Sequence, residues 1–282
     1  MTHSIADFSL TCAATALYVY PVKACAPMPV RELLLDARGG AAGDRGWAIV
    51  NARGEVTWQG EFPRLALVHP RVAGARLLLS APGATELATP DELNACQVKI
   101  WSDLKARHEV FDAADAGDAV AGWLAQVVGA PVRLVRLGDA AVAREGNNAL
   151  HLVFAPSVDA VDAQLAAAGR PGADPRRYRP NIVLSGPAGE DGVEFIEESV
   201  AALDWLRASG TTRLEITAPC VRCPVPNVDP DSGRVDEAVG DTLARMSRQR
   251  RADGATVFGV YARGPAGARL RVGDTAQMTL AF

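Results

Sequence analysis

The chain has 282 residues, of which 49% are hydrophobic and 22% charged, and its formal net charge is −4. That length suits two domains, or one large one, with ample core, and the acidic balance argues against a nucleic-acid binder, which usually carries a basic excess. No stretch approaches the roughly 20 apolar residues of a membrane-spanning helix, so no membrane association is expected.

The N-terminal Met1-Thr-His-Ser-Ile-Ala-Asp7 lacks the basic start of an export signal. Five cysteines, an odd number spread unevenly, point to a reducing cytoplasm. The first half reads as β-rich. Strands are predicted over 16–20, ending at Pro21, then over 32–36, 46–50 and 56–58, with Asn51-Ala-Arg-Gly-Glu55 as the turn between the last two. Further short strands are expected over 65–69, 75–79 and 97–101, and short strands with turn signals between them suggest a barrel or sandwich.

A helix is predicted over 116–128, with Val120, Trp123, Leu124 and Val127 on one face and Gly129 as its stop. Trp123 is expected to be a core residue. After a strand over 132–137 the pattern becomes mixed. A strand over 150–154 leads to Ser157 as N-cap of a helix reaching about 168. Strands over 181–184, 214–217, 256–261 and 270–272 follow, and the acidic stretch 189–198 reads as a loop. The fold class expected is a mixed, β-rich α+β protein with peripheral helices, whose second half opens near residue 132.

Chemistry concentrates in Ala218-Pro-Cys-Val-Arg-Cys-Pro-Val-Pro-Asn-Val-Asp-Pro-Asp-Ser-Gly233. A thiolate is a nucleophile and a soft metal ligand, and a neighbouring guanidinium stabilises it and can grip phosphate. A structural zinc site needs four ligands, and no second Cys or His pair stands at zinc spacing. A thioredoxin-like dithiol places its first Cys at a helix N-terminus, whereas Pro224 and Pro226 favour an extended segment. Either cysteine alone could be an ordinary buried thiol. A single reactive cysteine beside Arg222 fits the local chemistry best. Lys23, Arg45, Arg179, Asn181 and Tyr261 stand beside Pro or Gly punctuation elsewhere, and Lys23, Arg45 and Arg179 together with Arg222 could neutralise a phosphate-bearing anion.

These motifs, in this order, resemble the MOSC-domain proteins of the molybdenum-cofactor group that includes the mitochondrial amidoxime-reducing component and its bacterial relatives. Tyr20-Pro-Val-Lys23, Asp44-Arg45 and Glu61-Phe-Pro-Arg64 resemble the β-barrel domain that precedes MOSC. Arg179-Pro-Asn181, Cys220-Val-Arg-Cys223, Val228-Asp-Pro-Asp-Ser-Gly233, Phe258-Gly-Val-Tyr261 and Val272-Gly-Asp274 resemble MOSC itself. The resemblance implies an N-terminal β-barrel-like domain at 1–130, a second β-barrel domain with peripheral helices at 131–282, and a molybdenum–molybdopterin cofactor, with Cys223 as the catalytic protein ligand to the metal. It implies cofactor contacts at Lys23, Arg45, Asn148, Arg179, Asn181, Arg222 and Tyr261; pyridoxal phosphate is not expected. The implied reaction is reduction of N-hydroxylated small molecules. With no iron–sulfur ligand cluster after Gly273-Asp274, electrons are expected from a separate ferredoxin-like, flavodoxin-like or reductase protein. The alternative implied is a sulfur-carrier or cofactor-transfer module using a persulfide on the same cysteine. Ala24 replaces a serine frequent in relatives, Gly60 an expected arginine, and Asn147-Asn148 a Thr-Ser pair. Cys220 is expected to be a buried thiol packed against the site.

Overall fold

The computed structural model describes residues 10–144, 149–187, 193–207 and 210–281. Seven strands form a ring in the order Ile182–Leu184, Leu150–Phe154, Val257–Arg263, Gly210–Val221, Val200–Arg207, Thr275–Leu280 and Thr11–Val19. The ring closes because Thr11–Val19 pairs back onto Ile182–Leu184. Every pairing in it is antiparallel except that of Leu150–Phe154 with Ile182–Leu184. A parallel pair needs a crossover, and a helix is the usual one. Among the described residues the helices are α1 (Asp118–Val128), α2 (Asp139–Ala143), α3 (Ala155–Ala167) and α4 (Ala238–Arg250), and α3 lies in that crossover.

Period-two alternation decides what fills the barrel. In Thr11–Val19, residues Cys12, Ala14, Leu17 and Val19 are buried, with a register shift between Ala14 and Ala16. They join Leu152, Leu203, Trp205, Leu214 and Val260 in one core. A second core forms where α1 packs Val120, Leu124 and Val127 against Ile49, Leu65, Leu77 and Leu134. Trp123 is half-buried at its edge and donates through Nε1 to Thr85 O at 2.7 Å. Sheets flank this second core: one of four strands, Trp47–Val50, Arg133–Leu137, Arg107–Asp115 and Asn94–Ser102, and one of three, His69–Ala73, Arg76–Ala81 and Ala84–Ala88. The β-rich class with barrel and peripheral helices is as expected. No described helix is long and apolar enough to cross a membrane.

Several local expectations give way to packing. The strand predicted over 65–69 is a 3-10 turn, Pro63–Leu67, opened by a proline whose φ is preset for it. The segment 56–58 contributes only a bridge between Val56 and Val50. Ser157 is not an N-cap: α3 starts at Ala155 with Pro156 in its first turn. The Ser157 hydroxyl instead donates to Glu197 Oε2 at 2.7 Å and accepts from Phe195 N at 2.8 Å. The strand Val200–Arg207 and helix α4 had no counterpart in the sequence reading.

Candidate functional site

A cavity of about 250 Å³ lies between the barrel and loops of the first half of the chain. The first half supplies Lys23, Arg45, Trp58 and Gln59; the second supplies His151, Tyr178, Arg179, Cys220, Arg222, Cys223 and Tyr261. Two register shifts between Gly210–Val221 and Val257–Arg263, at Ile216/Ala218 and Pro219/Val221, flank this wall. Bulges of that kind bend a strand and re-aim its side chains, which brings both Cys220 and Tyr261 to the cavity. Gly259 makes the close approach possible. Its φ is +74°, and a Cβ there would stand 2.5 Å from both His151 Nε2 and Leu152 O.

Two arginines are presented by left-handed backbone, Arg45 at φ 53° and Arg179 at φ 57°. Non-glycine residues rarely hold this conformation unless their surroundings fix it, and it marks functional positions. Both guanidiniums flank the Tyr20 ring, at 4.3 Å for Arg179 and 5.4 Å for Arg45. Arg179 Nη1 also donates to Cys25 O at 2.7 Å, and Arg45 pairs with Asp44. Asp44 in turn accepts from Tyr20 N at 2.6 Å and from Asn181 Nδ2 at 3.2 Å.

Asn181 is not among the cavity residues. It is buried, its Oδ1 accepts from His151 N at 3.1 Å, and its Nδ2 also donates to Tyr18 O at 3.1 Å. It ties three segments together behind the cavity. Asn148 and Asn147 lie outside the described residues. The Asp-Pro-Asp-Ser-Gly run is a clamp: Asp229 accepts from Ser232 N and Oγ at 2.9 and 2.7 Å and from Arg177 Nη2 at 2.7 Å. Gly233 then packs against the backbone of Arg64, bringing the two halves of the chain into contact. Gly60 has a local reason as well, since a Cβ there would run into the Trp58 ring.

The two thiols of the motif differ sharply. Cys223 is exposed and Cys220 is buried. Burial alone would push the Cys220 thiol up, but His151 and Arg222 outweigh it and hold the thiol well below its ordinary value. Arg222 Nη1 lies 3.0 Å from Cys220 Sγ, and its Nη2 donates to Tyr178 O at 3.0 Å. His151 faces carbonyl oxygens with both ring nitrogens, Nδ1 toward Arg179 and Nε2 toward Phe258, each at 3.3 Å. Cys220 is therefore buried as expected, but in a charged pocket. His151, Tyr20 and Trp58 were missed by the sequence reading. For His151 a signal exists: a lone imidazole inside the apolar run Leu150–Phe154 must find polar partners.

Residues 12–131 match the MOSC N-terminal beta barrel domain, and residues 135–277 match the MOSC domain. The chain belongs to the MOSC family. It is 25% identical over 276 residues to molybdenum cofactor sulfurase of Bos taurus, covering 88% of this chain and 30% of that protein. It is 26% identical over 288 residues to mitochondrial amidoxime-reducing component 1 of Xenopus laevis, covering 92% and 79%. With mitochondrial amidoxime-reducing component 1 of Homo sapiens the figures are 28% over 240 residues, covering 77% and 66%. The chain spans about a third of the length of the sulfurase relatives it matches.

The cavity is lined by positive charge. Four cations, Lys23, Arg45, Arg179 and Arg222, line it, and among the described residues no carboxylate does. Burial, Arg144 and Arg45 pull the Lys23 ammonium down to about 8. Burial likewise lowers Arg179. Tyr20 Oη, Arg179 Nη2 and Arg222 Nε are buried without a hydrogen-bond partner among the described residues. Donors left in that state cost free energy that an oxyanion would recover. Among the described residues no three His, Cys, Asp or Glu converge.

Proposed function

We propose that this MOSC protein is a molybdenum-cofactor-dependent oxidoreductase that reduces N-hydroxylated compounds, amidoximes and hydroxylamines, with electrons from a separate donor protein. The observation that carries the reading is the exposed Cys223 at a cavity walled by four cations with orphaned donors. When bound, the molybdenum–molybdopterin cofactor supplies two-electron removal of oxygen from an N–OH group, which with two protons leaves N–H and water. In this reading Cys223 offers a soft thiolate to the metal, and Lys23, Arg45, Arg179 and Arg222 hold the cofactor's anionic groups. Tyr261 and Asn148 are the further cofactor contacts proposed, and Asn181 acts by positioning Asp44 and His151. The donor is proposed to be ferredoxin-like, flavodoxin-like or a reductase, and the compartment a reducing cytoplasm.

The test is molybdenum and pterin content of the wild-type protein and of Cys223→Ser, followed by benzamidoxime reduction with a chemical reductant. Near-stoichiometric molybdenum with turnover that Cys223→Ser abolishes is the expected outcome. Full turnover in Cys223→Ser would sink the ligand assignment.

A second reading is a sulfur-carrier or cofactor-transfer module with a persulfide on Cys223. It is favoured by the similarity to the sulfurases over 88% of the chain and by the buried Cys220 thiol, held below its ordinary value by His151 and Arg222, three residues away. Cyanide-labile sulfur on Cys223 without turnover under any donor would select it.

A further inference from the structure

A second cavity, of about 700 Å³, adjoins the first. Lys23 and Arg45 line both and form the sill between them; Arg144 lines only the larger one. Arg144 is placed there by the end of α2, and its Nη1 donates to Ala141 O at 2.6 Å. No described carboxylate pairs with it, and both burial and Arg45 work against its charge. The acidic groups of this groove are engaged on the facing hairpin: Asp103 accepts from Trp101 Nε1 at 2.9 Å, and Glu109 pairs with Lys105 at 2.5 Å. Arg45 already pairs with Asp44, so Lys23 and Arg144 are the cations at the sill without a described carboxylate partner, and an anion placed between them would relieve the crowding of like charge.

We infer that Arg144, with Lys23 and Arg45, binds a phosphate-type oxyanion at the sill, carried by the ligand that occupies the cysteine cavity. The inference rests on the reading above and extends the ligand's path from the cysteine cavity into the larger groove. An arginine suits the position because its planar fork meets two oxygens of one phosphate at once.

The experiment is calorimetric titration of cofactor-free protein with inorganic phosphate and with pyrophosphate. Wild-type protein is expected to bind pyrophosphate, with affinity falling as salt rises. Arg144→Gln should weaken that binding by about tenfold or more, the loss expected for a charge-assisted contact. Arg144→Lys should fall between the two. Lys105→Gln, which removes a charge already paired on the facing hairpin, should change affinity by less than about twofold. Melting in phosphate-free buffer should show Arg144→Gln at least as stable as wild type, because repulsion at the sill is relieved. Undiminished binding by Arg144→Gln, or an equal loss in Lys105→Gln, overturns the inference. Absence of wild-type binding overturns it too, yet leaves the molybdenum reading standing, since metal content and turnover judge that separately.

Discussion

Arg222 reaches back two positions along its own chain and places Nη1 3.0 Å from the Cys220 thiol. The strand therefore ends in a thiol held by charge, followed at once by a thiol left open to solvent. Motif spacing alone treats the two as equivalent; the fold does not.

Cys220→Ala leaves a buried guanidinium short of an acceptor and should cost about 1–3 kcal/mol at pH 9 or above, read by urea denaturation. The folded thiol lies below its ordinary value of 9.0. Its contribution is therefore fully present above that value and is lost as pH falls through the lowered one. The gap between wild type and variant should narrow on acidification. A gap that stays constant with pH would refute the thiolate assignment.

Accessibility predicts the order of thiol labelling. Cys223 should be the fast equivalent with an aromatic disulfide reagent at pH 7.5, the half-buried Cys96 slower, and Cys12 and Cys25, both pushed up to about 12 by burial, silent until unfolding. In Cys223→Ser the fast phase should vanish with an unchanged melting temperature. Persistence of that phase would mean the exposed thiol is a different one.

Glu197 is buried, and burial, against the Ser157 hydrogen bond, pushes its carboxyl up to about 7. Here the folded value exceeds the unfolded one, so the benefit is complete below about 4.5 and is lost as pH rises through about 7. Glu197→Gln keeps an acceptor for Ser157 and should gain on wild type between pH 5 and pH 8, by up to about 3 kcal/mol. Parallel stability–pH curves for the two proteins would exclude a neutral buried carboxyl.

Gly259→Ala should destabilise by more than about 2 kcal/mol, since the new methyl meets backbone and imidazole at positive φ. Because His151 must move, labelling of Cys220 should also accelerate. A stable variant with unchanged Cys220 reactivity would show that the strand can shift aside.

Sequence pattern serves this protein best where backbone chemistry is strong. Residues beside Pro or Gly, namely Lys23, Arg179 and Tyr261, do reach one cavity, with Arg45 and Arg222. Asn181 does not, because its amide is engaged by Tyr18, Asp44 and His151, which only the fold assembles. Helix α4 escaped detection because its inward stripe is Val239, Thr242, Leu243, Met246 and Ser247, apolar at three of five positions. Arg144 carried no punctuation at all; a short helix end and a neighbouring hairpin give it its place.

The strand Thr11–Val19, paired on one edge with Ile182–Leu184 and on the other with Thr275–Leu280, is a keystone delivered early and needed last. During synthesis it must wait, with Leu17 and Val19 unsheltered, until the strand Thr275–Leu280 has left the ribosome. A cut between the two family segments at 131 and 135 would strand it on the wrong fragment. The remaining barrel would then expose two strand edges able to pair with other copies.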